Sequence, residues 1–519
     1  MKTKTRKLEK IYRSRPDSIT ESAWRAQFRR QRLLFQTKLK SYWKFAIESS
    51  GSNNKVIWSK LRCLLQSPVD DSSSQHSADD FANYFVGKID KIRSNSASAA
   101  SPLVDDRSVL NQLSTFSPVT PVEVMTLLSR SPAKQCTLDP IPTWLMKEVS
   151  PIMSPVIAAM CNASFTQQIM PTAHKMATVH PLLKKPKLDS NELSSFRPIS
   201  NLSFVSKTLE RLVNRRFTEH TDKQPLLPDT QSAYRQHYST ETALVKMHND
   251  IVIAIDRGNV GALVLLDLSA AFDTVDHKIL IDILQRRFGI VGNALNWMAS
   301  YLDSRSQQVS FGSKMSTVTG LSCGVPQGSV LGPKQFLAYT EDLIDIFNKH
   351  EVSHLGYADD SQGFAQSDPD DVSLIVASLQ ATVCDVSSWC SSRRLKLNED
   401  KTEIIWFGSS TKLSKLSPAD MKLQLDGAII DPTHVVRDLG VYSTRIVHAR
   451  THLGSRSRVF INFAEYDQFI VNLVASSHSV LSPLSSCHAS TIVTQYSPNY
   501  QLQHWLRYSA SRMQQPGWC

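Results

Sequence analysis

No uninterrupted apolar run in this 519-residue sequence approaches the roughly 18 residues of a membrane span. The basic opening MKTKTRKLEK is not followed by the apolar core of a secretory signal, so the chain is expected to be soluble and intracellular, with no membrane partner. Eight cysteines (Cys63, Cys136, Cys161, Cys323, Cys384, Cys390, Cys487 and Cys519) are scattered, without a C-x-x-C pair or zinc-like Cys/His spacing, and are expected as reduced thiols. No internal repeat is visible. Acids are scarce at both ends: residues 1–45 hold 14 basic and 3 acidic side chains, while residues 443–519 hold only Glu465 and Asp467 among thirteen serines and five histidines. What remains is ordinary for globular protein, with 41% hydrophobic and 20% charged residues. The length allows about two to four folding units at about 150 residues each.

The net charge of +11 equals the surplus of the first 45 residues alone. A basic face suits a polyanion, because neutralised phosphates release counterions; a merely solvated helix would carry the same charges. Trp24, Phe28, Phe35, Leu39, Tyr42 and Ala46 recur at helical steps, and are expected as a packing stripe rather than as platforms for bases. SPVDDSSSQHSADD (67–80) reads as a linker, followed by a short helix around Phe81 to Ile92 and a second loop at 94–102. GALVLLDLS (261–269) is an apolar run ending in an acid, as in a strand buried on both faces. Leu280, Ile281, Leu284 and Phe288 sketch a helix, and residues 307–320 a hairpin.

Phosphoryl transfer to a sugar hydroxyl uses two divalent ions about 3.5–4 Å apart, held by hard oxygen ligands. LDLSAAFD and GYADDSQ supply such ligands in Asp267, Asp359 and Asp360. Leu355-Gly356-Tyr357-Ala358 suits a tight hairpin with the acids at its turn. Adjacent strand residues point to opposite faces, so Asp359 and Asp360 reach one metal pair equally only if the turn bends there, and Asp359 is the stronger candidate as bridging ligand. Alone, an Asp-Asp pair is more often a solvated turn. GVPQGSVLGP (324–333) sets three glycines around Pro326 and Gln327, either as a backbone that approaches a flat base pair or as an ordinary loop-to-helix junction.

Taken together, these segments resemble the reverse transcriptases of non-LTR (LINE-type) retrotransposons, in order from near Trp24 to Tyr442. HPLLKKPKLDSNELSSFRPISNLSF (180–204) looks like the family's fingers motifs, and QSAYRQHYSTETAL (231–244) like its next block. LDLSAAFDTVDH resembles motif A, GVPQGSVLGP motif B, YADD motif C, SSRRLKLNEDKTEIIWFG (391–408) motif D, and VVRDLGVY (435–442) the start of motif E. The resemblance implies an α+β right-hand polymerase, with fingers and a ferredoxin-like palm sheet after a basic helical segment. The expected organisation is a basic helical segment at 1–66, a linker with a short helix at 67–115, fingers at 116–255, palm at 256–442, and an aberrant, poorly ordered tail at 443–519.

By that resemblance, Asp267, Asp359 and Asp360 bind two Mg2+ ions, with Mn2+ as a substitute. Phe272 stands at the steric-gate position that selects deoxynucleotides; on its own it reads as core packing. Arg197 matches the fingers arginine that grips the triphosphate, Gln327 and Gly328 line the pocket of the nascent base pair, and Lys401 is a motif D proton donor. Lys184, Lys185 and Lys187 are candidates for nucleic-acid contact, although each alone reads as a solvated charge. The implied partners are an RNA template, a DNA primer and dNTPs, and the implied location is the nucleus or a cytoplasmic ribonucleoprotein.

Two features depart from the family. Lys334 and Gln335 stand where two leucines are usual, and would weaken helix packing if buried. The resemblance stops at Tyr442, before a thumb, and nothing like an endonuclease precedes it, so a reading-frame change near residue 443 is the expectation for the tail. The resulting functional expectation is an RNA-directed DNA polymerase. The alternatives are an inactive retrotransposon remnant that at most binds nucleic acid, and an RNA-dependent RNA polymerase, which Phe272 argues against.

Overall fold

The computed structural model describes residues 2–14, 17–48, 76–132, 136–185, 188–425 and 428–444, so the tail at 445–519 lies outside the described residues. The chain divides into two compact units, Met1–Gln75 and His76–Cys519. In the first, helices Lys2–Ser14 and Ser18–Glu48 pack together. The carboxylate of Asp17 caps the second helix, accepting the amide of Thr20 at 2.8 Å. Trp24, half-buried, stacks on Tyr12 with ring centroids 5.5 Å apart, but Phe28 and Phe35 are exposed, so the expected aromatic packing holds at Trp24 and not at those two. The side chains of Leu39, Tyr42 and Ala46 lie outside the described residues.

The second unit mixes helices with two larger sheets. The first sheet holds β1 (Met176–Leu183), β2 (Phe196–Asn201), β4 (Arg305–Phe311), β5 (Lys314–Met315) and β6 (Thr319–Leu321), with β1 and β4 parallel and the other pairs antiparallel. The second runs in the order β12 (Pro432–Thr433), β9 (Glu403–Phe407), β3 (Val260–Leu266), β8 (Asp360–Ser367), β7 (Ser353–Tyr357). Two short pairs complete the strands, β10 (Leu423–Leu425) with β11 (Ala428–Ile430) and β13 (Val435–Asp438) with β14 (Val441–Thr444).

Strand β3 is central to the second sheet and buried on both faces, as its unbroken apolar run requires. Ala262, Val264 and Leu266 join the large core with helices His277–Arg286, Gly292–Leu302 and Val372–Ser392. Leu263 turns the other way, onto Met247 and Ile251 of helix Thr240–Asp256. Pro369–Ser392 has the length and composition to cross a membrane, but Ile375, Leu379, Val383 and Val386 place its apolar stripe in this core.

The helix expected near Phe81 to Ile92 runs from Ala78 to Asn95, and it is part of the body rather than a break between bodies. Ser77 and Asp80 form a reciprocal capping box at its start. Phe81 is fully buried against Phe196 of β2 and Phe311 of β4, so the helix is fixed to the first sheet by aromatic packing. Arg93, near its end, pairs with Asp276 at 2.7 Å.

Lys334 and Gln335 are both buried in helix Gly332–Tyr339. Gln335 is 1% exposed, and among the described residues its amide nitrogen has only the Met298 sulfur at 3.8 Å and its carbonyl oxygen has no partner. A leucine there has similar volume and no polar atom to desolvate. Gln335→Leu should therefore raise stability by about 1–3 kcal/mol, read as a higher denaturant midpoint at unchanged slope. A lowered midpoint would mean that the amide is satisfied in solution.

Candidate active site

The acids are brought together by strand register. Strands β3 and β8 are antiparallel, with Leu266 opposite Ser361, so one further step sets Asp267 opposite Asp360. Strand β7 returns on the far side of β8 and pairs Tyr357 with Asp360, which leaves Ala358 and Asp359 as a two-residue turn. Ala358 takes a positive φ of 60°, the conformation that a tight hairpin turn demands of its first central residue. Residues 230–232 hold this turn from outside: Ser232 N–H donates to Gly356 O at 2.8 Å, and Gln231 Oε1 accepts the amide of Ala358 at 3.1 Å.

Asp267 and Asp359 line one cavity of about 370 Å³, together with Phe272, Arg197, Gln327, Lys184 and Lys401. The residues carrying these side chains lie as far apart as 184 and 401, and the fold assembles them at the ends of both sheets. Asp360 does not face this cavity. It lines a second one of about 390 Å³ with Asp438, Glu403 and Lys185, and Asp267 borders both. The expected trio of carboxylates is therefore split, because Asp360 is the first residue of β8 while Asp359 belongs to the turn. Among the described residues, no three His, Cys, Asp or Glu side chains form a group able to hold a metal ion.

Other predicted residues have defined surroundings. Phe272 is 8% exposed and stacks on Phe336 with centroids 4.6 Å apart, so it is both core packing and cavity wall. Arg197 is exposed on β2. Lys184 donates to Ser194 O at 2.7 Å. Lys187 lies outside the described residues. Lys401 donates to Asp267 Oδ2 at 2.8 Å, and Asn398 Nδ2 reaches the same oxygen at 3.2 Å. Gln327 lines the cavity and its carbonyl accepts the amide of Ser200 at 2.9 Å. Gly328 does not line it: at φ 126°, a Cβ there would lie 2.2 Å from Ser200 O, so the glycine admits the chain's own backbone rather than a base pair.

Charge is concentrated at the strand ends. Burial raises the pKa of Asp359, and the neighbouring Asp267 raises it further. Asp360 is pushed up to about 6, first by burial and then by Asp359 and Asp267. Asp438, in the short strand β13, is pushed up to about 7 by burial and then by Asp360, while Gln362 Nε2 donates to its Oδ1 at 2.5 Å. Crowded carboxylate oxygens of this kind suit hard divalent cations.

Sequence reasoning missed Asn398, Asp438 and the wall formed by Tyr84, Phe85 and Lys88 of helix Ala78–Asn95. Asn398 and Asp438 lie inside LKLNEDKT and VVRDLG, next to residues that were recognised. The wall residues share a helical spacing with Phe81, a signal outweighed by the Ser- and Asp-rich flanks.

Residues 183–441 match the family described as reverse transcriptase (RNA-dependent DNA polymerase). The chain is 30% identical over 311 residues to a "Probable RNA-directed DNA polymerase from transposon BS" of Drosophila melanogaster, covering 58% of this chain and 33% of that protein. It is 28% identical over 318 residues to the corresponding protein of transposon X-element from the same organism, covering 58% and 34%. With the RNA-directed DNA polymerase from mobile element jockey, also of Drosophila melanogaster, it shares 24% over 351 residues, 66% of this chain and 37% of the relative. The matched stretch thus spans about a third of the length of these relatives.

Asp438 supplies a pH test. Its folded pKa of about 7 lies above the ordinary carboxylate value, so the fold favours the protonated form. The resulting penalty is absent below about pH 4, builds as pH rises towards the folded pKa, and is complete above it. A tenfold change in proton affinity corresponds to about 1.4 kcal/mol. In metal-free buffer, Asp438→Asn should therefore stabilise the protein by about 1–3 kcal/mol at pH 8 and by almost nothing at pH 4. An equal effect at both pH values would exclude a buried ionised Asp438.

Proposed function

The chain belongs, through residues 183–441, to the reverse transcriptase (RNA-dependent DNA polymerase) family of LINE-type mobile elements, and on that basis we propose that its cavity at Asp267 and Asp359 extends a DNA primer on an RNA template. The primer 3′-hydroxyl gives up its proton to solvent as its oxygen bonds to the α-phosphorus of a template-paired dNTP, the α-phosphorus bond to the bridging β-phosphate oxygen breaks, and pyrophosphate leaves. The observation that carries this is the convergence of two carboxylates, Phe272, Arg197 and Gln327 on one cavity.

Residues 116–255 would act as fingers and residues 256–442 as palm, with β3, β8 and β7 presenting the carboxylates. The donor chemistry at Asp267 and Asp359 fits Mg2+, or Mn2+ in its place, with Asp360 reaching Asp267 from the second cavity. Two bound ions would activate the attacking hydroxyl and offset charge on the leaving phosphates.

The protein's own groups do the rest. Arg197, exposed on the cavity rim, offers a planar fork of donors to the triphosphate. Phe272, held flat against Phe336, limits the room beneath the incoming sugar and so disfavours a 2′-hydroxyl. Gln327 lies where the templating base and nucleotide pair. Lys401 neutralises Asp267 and is placed to give a proton to departing pyrophosphate. Lys184 and Lys185 add positive charge beside the two cavities for the nucleic-acid backbone.

Primer extension on an RNA template with dNTPs and Mg2+ tests this directly. Asp359→Ala should lower incorporation by at least about a thousandfold. Phe272→Val should raise ribonucleotide incorporation relative to deoxynucleotide by about tenfold or more, scored as a ratio so that lost stability cancels. Background incorporation by both wild type and Asp359→Ala would leave only a nucleic-acid-binding remnant.

A further inference from the structure

Glu210 is wholly buried on helix Phe204–Lys223, yet none of the proposed chemistry uses it. Its Oε2 accepts two backbone amides, Val330 N–H at 2.5 Å and Leu331 N–H at 3.2 Å. Those amides end the loop that begins at Gly324. The cavity side of the same loop is held by Ser200, whose amide donates to Gln327 O at 2.9 Å and whose carbonyl abuts Gly328. Ser200 and Glu210 belong to one short stretch of chain, β2 and the helix that follows, which also carries Arg197.

A carboxylate in such a place is costly unless its environment is fixed. Arg305, 2% exposed, is the leading charge acting on it. The guanidinium lies over the ring of Tyr301 at 4.8 Å and donates through Nη1 to Tyr301 O at 3.0 Å. Among the described residues its Nε and Nη2 have no hydrogen-bond partner, and the Tyr301 hydroxyl lies beside the Glu210 carboxylate. The charge of Arg305 and the hydroxyl of Tyr301 thus act on the carboxylate, while its Oε2 is committed to the loop.

We propose that Glu210 is a positioning residue for nucleotide selection: it ties the Gln327–Leu331 loop to the strand that carries Arg197, so that both sides of the cavity keep one spacing. The inference rests on the nucleotide-binding role of the cavity. Two staples at Ser200 and Glu210 stop the loop from pivoting, and a shift there would move Gln327 relative to Arg197 without touching Asp267 or Asp359. The effect belongs to dNTP affinity rather than to the chemical step.

Glu210→Ala and Glu210→Gln separate the outcomes. Glu210→Ala should speed amide hydrogen exchange at Val330 and Leu331 by about tenfold or more, and raise KM for dNTP by about tenfold at nearly constant kcat and primer-template affinity. Glu210→Gln, which keeps one carbonyl oxygen for both amides, should restore most of each effect, and Glu210→Leu, which removes the acceptor but fills the buried space, replaces the alanine variant if that one does not fold. Unchanged exchange at Val330 and Leu331 would overturn the staple. Faster exchange with unchanged KM would overturn its role in selection. An inactive wild type would sink the polymerase function instead, and amide exchange would still decide the staple.

Discussion

The antiparallel register of β3 and β8 is the constraint on which the site depends. It brings Asp267 and Asp360 opposite one another and leaves Asp359 on the connecting turn. A one-residue slip would exchange the faces of every side chain in β8, moving Phe364 out of its apolar cluster. The hydrophobic pattern of both strands therefore guards the placement of the acids. The fold tolerates the resulting carboxylate crowding because the strands beneath are anchored by two separate apolar clusters, one on each face.

This crowding and the loop at Gly324–Leu331 are opposite solutions to the problem of placing polar groups beside a cavity. The acids are left without full compensation, which keeps them available as ligands. The loop is over-determined: Val325 N–H donates to Phe272 O, Gly324 N–H to Val275 O, Ser200 N–H to Gln327 O, and Glu210 accepts from its far end. Phe272 thus belongs to both systems, five residues after Asp267 and bonded through its carbonyl to the loop. Aromatic stacking on Phe336, at the start of the core, transmits the rigidity of the interior to that ring.

Much of this was legible in the sequence, for physical reasons. The run GALVLLDLS could hardly be anything except a buried strand, and YADD between two short strands forced a turn. The separation of Asp360 from Asp359 follows the alternation of strand side chains already expected, while the cavity that each one lines depends on the register, which no local pattern encodes. Nothing in LERL marks Glu210 for the loop that it meets. Phe28 and Phe35 differ in the other direction: their helical spacing suggested packing, but both are exposed, while Trp24 stacks on Tyr12 of the partner helix Lys2–Ser14. Lys334 and Gln335 were recognised as misfits, and their burial shows a core that carries polar side chains where apolar ones would fit.

The helix Ala78–Asn95 bears on what counts as the unit of folding. Family resemblance marks out residues 183–441, yet Phe81 fills the gap between Phe196 and Phe311, Lys88 and Tyr84 wall the cavity, and Arg93 reaches Asp276. A fragment cut at the edge of the recognised span would expose an aromatic pocket on its first sheet and open one side of the site to water. The borders of inherited sequence and the borders of cooperative structure are therefore different in this protein, and the second begin roughly a hundred residues earlier.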